Sequence, residues 1–412
     1  MAERIVITGL GAISPLGLST NESWGNILNG VSGVGPITHI DTSDYLVHIA
    51  CEVKNFDPKK YMHARDARRS DRYEQFAIAA AQEAVEQSGL IITDENAERI
   101  GVIVSSSVGG LDAFGEAAIT VAQDGPRKIS PFIIPKMMSN GGAGMIGIAH
   151  NLKGPSFSVA SACASGADGI GVAWMMMRAG LMDAAVVGAA EATITQMGVA
   201  AFDRIGAMSR CNDGSMTPQP FDKNRDGLVM GEGAGILVLE RESHAKVRGA
   251  EILAELLSHA NTADAFHVTA PSEDGVGGAR AIELALTFAG VNADQINYIN
   301  AHGTATPLND AAETKAIKAV FGDLAYNIPV SSTKSMTGHM MGATGALEAV
   351  FCVQAIRDNV IPPTINYQTP DPECDLDYVP NQARELPVRA AVSNAFGFGG
   401  HNAVLVIKEY VG

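Results

Sequence analysis

The chain predicts an α/β fold built from two similar halves, and three observations carry that expectation. Runs of β-prone residues alternate with helical patterns along all 412 residues. Apolar residues make up 46% and charged residues 18%, enough to fill a large core. Two stretches can also be laid side by side. One is Pro155-Ser-Phe-Ser-Val-Ala-Ser-Ala-Cys163-Ala-Ser-Gly-Ala, the other Ile328-Pro-Val-Ser-Ser-Thr-Lys334-Ser-Met-Thr-Gly. Each joins a β-prone run, a Ser-rich turn, one reactive side chain and a small-residue helix start. Residues 100–109 pair with 297–303 in the same way. The halves should meet near residue 250, with largely parallel sheets.

The elements follow in order. Residues 4–8 form a short buried-type strand running into Gly9-Leu-Gly11. That pair of glycines lacks the third glycine and the acidic partner of a dinucleotide fingerprint, so it reads as a strand-to-turn connection. Asp71 caps a helix that Gly89 ends. Residues 100–105 are a strand. Residues 131–148, rich in Met, Ile and Gly, read as core or as the lining of an apolar tunnel. The run 156–159 leads to Cys163 at a tight turn, and an apolar helix follows until Gly180. Unpartnered N–H groups and the positive end of that helix favour a thiolate at Cys163. Further strands lie at 184–188 and 235–240, separated by a long loop at 209–233. His302 follows the strand 296–299, after which Asp310 and Glu313 have capping-box spacing. Lys334 and His339 follow the strand at Val330.

Composition narrows the function. A net charge of −16 argues against a nucleic-acid binder or an anionic membrane surface. Five scattered cysteines without a CxxC fit a reducing cytosol and form neither a disulfide framework nor a zinc site. No signal peptide is visible at the start, and Arg178 and Asp183 interrupt the apolar run 169–190. The chain therefore reads as cytoplasmic, with no metal and no cofactor.

Cys163, His302, Lys334 and His339 could serve a Cys–His hydrolase. They suit acyl transfer to carbon better. A cysteine would hold a thioester, and two neutral imidazoles would donate to an enolate formed by loss of CO2. Apolar surroundings would keep water from the thioester.

Four motifs now stand in order. They are Cys163 in its small-residue turn, His302-Gly-Thr-Ala-Thr, Ser-Thr-Lys334-Ser-Met-Thr-Gly-His339, and Asn394-Ala-Phe-Gly-Phe398-Gly-Gly-His-Asn402. Together they resemble the β-ketoacyl-acyl carrier protein synthases over essentially the whole chain, in the synthase II version. The resemblance implies a thiolase-like fold, with two duplicated β-α-β-α-β halves forming a layered α-β-α-β-α core. Residues 1–250 would carry the nucleophile and the dimer and acyl-pocket insertions. Residues 251–412 would carry both histidines, the lysine and the Gly-Phe-Gly-Gly loop. It implies a homodimer acting on acyl- and malonyl-loaded acyl carrier protein in fatty acid elongation. Cys163 would be the nucleophile, His302 and His339 the decarboxylating pair, and Lys334 the supporting cation. The N–H groups of Cys163 and Phe398 would form the oxyanion hole, with Phe398 and Gly399 in the gate. Thr304 and Thr306 would touch the pantetheine arm. Val108, Ile133, Ile134 and Phe202 would line the acyl pocket, and Arg65, Arg68, Arg69, Arg127 and Lys128 would dock the acidic carrier. Val108, Ala395 and His401 depart from common family residues, and Val108 leaves chain length open. A polyketide-type ketosynthase shares the chemistry. A thiolase-like enzyme would need a late catalytic cysteine in a Gly-rich turn, and Cys352 and Cys374 do not supply one. A non-catalytic carrier-binding module would have little use for all four reactive residues.

Overall fold

The structure is a computed structural model, and it describes residues 3–412. Ten strands form its main sheet. They are β1 (Ile5–Ile13), β2 (Ile100–Ser105), β3 (Ser156–Phe157), β4 (Ala184–Glu191) and β5 (Gly233–Arg241), then β6 (Ala254–Ala263), β7 (Tyr298–Asn300), β8 (Val330–Ser331), β9 (Ala390–Gly397) and β10 (His401–Lys408). Their spatial order is β8-β7-β9-β10-β6-β1-β5-β4-β2-β3. Either side of the β6–β1 junction therefore repeats one strand order. The junction is antiparallel, with Ile5 to Ile7 facing Leu256 to Ala254.

Six helices matter for the site: α1 (Arg72–Ser88), α2 (Leu111–Asp124), α3 (Ser165–Arg178), α4 (Val276–Ala289), α5 (Pro307–Phe321) and α6 (Thr344–Asp358). Helix α1 starts and stops as expected. Asp71 and Glu74 make a capping box, and Gly89 ends the helix at φ +61°. It packs over β1, β5 and β4, while α4 covers β6 and β10 on the other outer face. Helices α3 and α6 pack on each other and lie between the sheet faces. Every residue of α6 from Thr344 to Ile356 is buried. Small residues permit this approach: a Cβ on Gly166 would lie 2.8 Å from the Gly342 carbonyl oxygen. The layered α-β-α-β-α arrangement follows. Among the described residues no helix is long and apolar enough to cross a membrane.

Two expectations change. The strand at residue 4 does not turn at Gly9 but continues to Ile13. Gly9 and Gly11 are there because α1 crosses the strand closely. A Cβ at either would sit 2.1 Å or 1.9 Å from a carbonyl oxygen of Ala84 or Ala80. The sheet is also mixed rather than largely parallel. β2, β3 and β4 run parallel, as do β7, β8 and β9. β5, β1, β6 and β10 pair antiparallel with their neighbours. A tight turn at Phe398–Gly400 makes β9 and β10 a hairpin, which needs no crossover helix.

Candidate active site

Three strand ends bring the reactive side chains together. Beyond β3 the chain bends through Ala162, at φ +50°, and places Cys163 just before α3. Its Sγ lies 3.1 Å from Nε2 of His339. The N–H of Phe398 also donates to this sulfur. Burial outweighs these favourable donors and pushes the thiol up to about 11. The resting nucleophile is therefore a thiol rather than the thiolate that the helix start alone would favour. We expect iodoacetamide to modify Cys163 about tenfold faster per pH unit from pH ~7 to ~10. A plateau below pH ~9 would contradict this.

Beyond β7, His302 is held by its backbone. The N–H groups of His302 and Gly303 both donate to Glu313, at 2.7 Å each. Asn394 donates to the same carboxylate at 3.0 Å. The expected Asp310–Glu313 capping box is therefore absent. Helix α5 starts earlier, with Thr306 as N-cap and Pro307 in its first turn. That puts Asp310 and Glu313 inside the helix, where Asp310 accepts from the Phe221 N–H at 2.8 Å. Sequence reasoning gave Glu313 to a helix cap, and no local signal separates it from one, since the exposed Lys315 follows it as on an ordinary surface helix.

Beyond β8, Lys334 opens a short helix and its Nζ meets Glu348 at 2.7 Å. Both side chains are at most 2% exposed. Burial pushes the Glu348 carboxyl up, and the Lys334 charge pulls it back. His339 lies on the long loop's far strand of contacts: its N–H donates to the Val229 carbonyl at 2.7 Å, and Gly231 N–H returns a bond at 2.8 Å. Its Nδ1 lies 3.1 Å from the Thr344 hydroxyl. The rings of His302 and His339 stand nearly perpendicular, at 84°, with centroids 5.3 Å apart. Burial holds both imidazoles well below the usual histidine range, and the nearby Lys334 charge pushes them further down. Both rings are neutral, and each can donate one N–H.

Cys163, His302 and His339 open on one cleft, which Thr304, Thr306, Phe202 and Phe398 also line. The Phe202 and Phe398 rings stack at 6.4 Å. Gly399 and Gly400, at φ +85° and +72°, form the turn behind Phe398. Val108, Ile133 and Ile134 are not among the residues lining this cleft in the single chain. Val108 and Ile134 are 43% and 57% exposed, beside the turn where Gly109 and Gly110 abut residues 136–137. Arg65, Arg68, Arg69, Arg127 and Lys128 are all exposed. Arg69 lies over the Phe132 ring at 4.5 Å. Arg72, their neighbour in sequence, is instead engaged by Glu232 at 2.6 Å and 2.9 Å. Among the described residues no cluster of His, Cys, Asp or Glu could hold a metal ion.

Known proteins are similar to this chain over their full length. Residues 2–245 match the family described as "Beta-ketoacyl synthase, N-terminal domain", and residues 253–368 its C-terminal domain. A 3-oxoacyl-[acyl-carrier-protein] synthase 2 of Staphylococcus aureus (strain N315) is 47% identical over 408 residues, covering 99% of each chain. The ishigamide ketosynthase/chain length factor superposes with a TM-score of 0.93 at 38% identity, covering 100% of each chain. A chain from the solved complex of a type II polyketide acyl carrier protein with its hexaketide-bound ketosynthase gives 0.92 at 34%, again over 100% of each. A thiol and two neutral imidazoles at the ends of three strands thus occur here in a chain that belongs to the β-ketoacyl synthase family.

Proposed function

We propose that this protein is a β-ketoacyl-acyl carrier protein synthase of fatty acid synthesis, acting as an acyltransferase. The observation that carries the reading is one thiol within reach of two buried, neutral imidazoles. In the first half-reaction Sγ of Cys163 attacks the acyl thioester. The N–H groups of Cys163 and Phe398 hold the oxyanion. The proton leaving Sγ reaches the departing pantetheine sulfur, and Nε2 of His339 is placed to relay it. In the second, malonyl-acyl carrier protein loses CO2. The electron pair of the broken C–C bond becomes an enolate whose oxygen accepts from His302 and His339. Its carbon attacks the Cys163 thioester. The sulfur leaves as thiolate and regains a proton from water, and 3-oxoacyl-acyl carrier protein departs. No base has to take a proton from carbon, which suits imidazoles held neutral.

Thr304 and Thr306, at the cleft wall, are placed for the pantetheine arm in this reading. Phe398 and Gly399 act as its gate, with Phe202 on the acyl side. Val108, Ile133 and Ile134 complete the acyl pocket only when a second copy covers them. Supporting this, Val108, Phe114, Ile119, Ile134 and Met138 are all 42–57% exposed on one single chain, a large apolar surface for an unpartnered protein. The same strand order on either side of β1 and β6 supports halves of 1–250 and 251–412. The enzyme works in the cytoplasm in this reading.

The test is intact-mass measurement after incubation with a long-chain acyl-acyl carrier protein. An acyl adduct on Cys163, discharged by malonyl-acyl carrier protein into a 3-oxoacyl product, is expected; no adduct from any acyl donor would overturn the reading. The polyketide neighbours favour a second outcome, successive two-carbon additions without reduction, which the product mass distinguishes.

The basic patch yields a separate prediction. Arg68→Glu with Arg127→Glu should raise KM for the acidic carrier roughly tenfold and flatten its salt dependence, with kcat little changed. An unchanged KM would remove these residues from the docking surface.

A further inference from the structure

The turn that presents Cys163 is strained, and it is held from below. Ala162 has φ +50°, a conformation a side chain adopts only where its surroundings impose it. Two serines lace the turn. Ser161 N–H donates to the Ser165 hydroxyl at 2.9 Å, and that hydroxyl donates to the Ala162 carbonyl at 2.6 Å. These bonds are local and cannot fix the turn relative to the rest of the site. A third bond can. The Ser161 hydroxyl donates to Oδ2 of Asp168, at 2.5 Å, on the first turn of α3.

The other oxygen of Asp168 is engaged from strand β6. His259 Nε2 lies 2.9 Å from Oδ1, and Asn261 donates to it at 3.1 Å. The Asp168 and His259 side chains are only 8% and 3% exposed. Space for the imidazole depends on Gly171, since a Cβ there would lie 2.1 Å from the ring. Burial pushes the Asp168 carboxyl up, but the bonds from His259, Ser161 and Asn261 bring it below the usual range, so it is charged. Nothing in the condensing chemistry uses this cluster.

Strand β6 also holds the opposite side of the oxyanion site. Just beyond its end, Asp264 N–H donates to the Gly400 carbonyl at 2.9 Å, and the Val268 carbonyl accepts from Gly399 at 2.8 Å. Asp264 also accepts from Asn402 at 2.6 Å. The two donors around the sulfur, Cys163 N–H and Phe398 N–H, are thus referenced to one strand by two separate routes.

We infer that Asp168, clamped by His259 and Asn261, is the positioning residue of Cys163: it ties the nucleophile turn to β6, the strand that also anchors the Phe398 loop, and so sets the spacing of the oxyanion donors. The inference rests on the condensing reading for what the sulfur does, not for how it is held.

Asp168→Asn and the milder Ser161→Ala test it. Crystal structures of both should show Ala162 leaving the left-handed region and Sγ displaced from the Phe398 N–H. Acyl transfer from acyl-acyl carrier protein should fall about 10–100-fold, the cost of misplacing a reacting atom by about 1 Å. KM for the carrier should hold within about threefold, and the iodoacetamide rate at Cys163 should fall far less than acyl transfer, since alkylation loses only the Phe398 N–H bond to the sulfur and builds no oxyanion. His259→Gln, whose amide can still donate, should recover most of the rate that His259→Phe loses. A turn still left-handed in Ser161→Ala with undiminished acyl transfer would overturn the inference, and so would a parallel loss of alkylation and acyl transfer. Where the unaltered enzyme itself takes up no acyl group, the condensing reading fails, and the crystal structures still decide the clamp.

Discussion

His302→Ala is expected to leave Cys163 able to accept an acyl chain while condensation falls about 10²–10³-fold, the usual loss on removing one donor to a developing oxyanion. The asymmetry comes from distance. His339 sits 3.1 Å from the sulfur, so its removal should slow both half-reactions. His302 makes no hydrogen bond to the sulfur, and its ring stands nearly perpendicular to that of His339, 5.3 Å away centroid to centroid. Its own backbone is fixed by Glu313 and does not depend on the side chain, so the alanine variant should keep its loop. Both imidazoles stand well below the usual 6.5, held there by burial and by Lys334. Lowering pH through 6.5 should therefore not protonate them, and kcat should show no acid limb near that value. Rapid-quench measurement of adduct formation and of product release separates the two steps. Equal losses in both, or an acid limb near pH ~6.5, would remove His302 from the enolate site.

How much of this was legible in the sequence depends on the range of the interaction. Helix α1 was readable because its signals are local: Asp71, Glu74 and Gly89 act within a turn of where they stand. The three strand-end positions of Cys163, His302 and Lys334 were readable for the same reason, since each motif carries its own turn. What failed depended on partners distant in the chain. Gly9 and Gly11 looked like a turn because nothing near them reveals a helix that crosses far along the chain, at Ala80 and Ala84. Glu313 looked like half of a cap because its true partners are His302, Gly303 and Asn394. The thiolate expected at Cys163 followed from the helix start alone. Burial of the sulfur at the foot of the cleft, a property of the assembled fold, reverses it. Asp168 drew no notice because its partners, His259 and Asn261, lie on another half of the molecule.

Lys334→Ala should cost stability and activity together, and the two losses can be separated. Lys334 and Glu348 form an ion pair whose members are 1% and 2% exposed. Removing one member of such a pair strands the other, typically for about 3–5 kcal/mol. Glu348 already has one oxygen, Oε2, with no hydrogen-bond partner. Without the lysine its carboxyl rises further above the ordinary 4.5. A carboxyl whose folded value stands above its unfolded one loses stability as pH rises from the unfolded value. The deficit of Lys334→Ala in urea unfolding should therefore be smallest near pH ~5 and grow toward pH ~8. Pairing Lys334→Met with Glu348→Leu removes both charges, and apolar replacement of a buried pair restores most of the stability. Condensation should stay low in the double variant, because the Lys334 charge that adds to burial in keeping both imidazoles neutral is gone. Recovery of kcat with stability would mean that Lys334 serves only to hold the fold. A stable but inactive double variant assigns its charge to the chemistry.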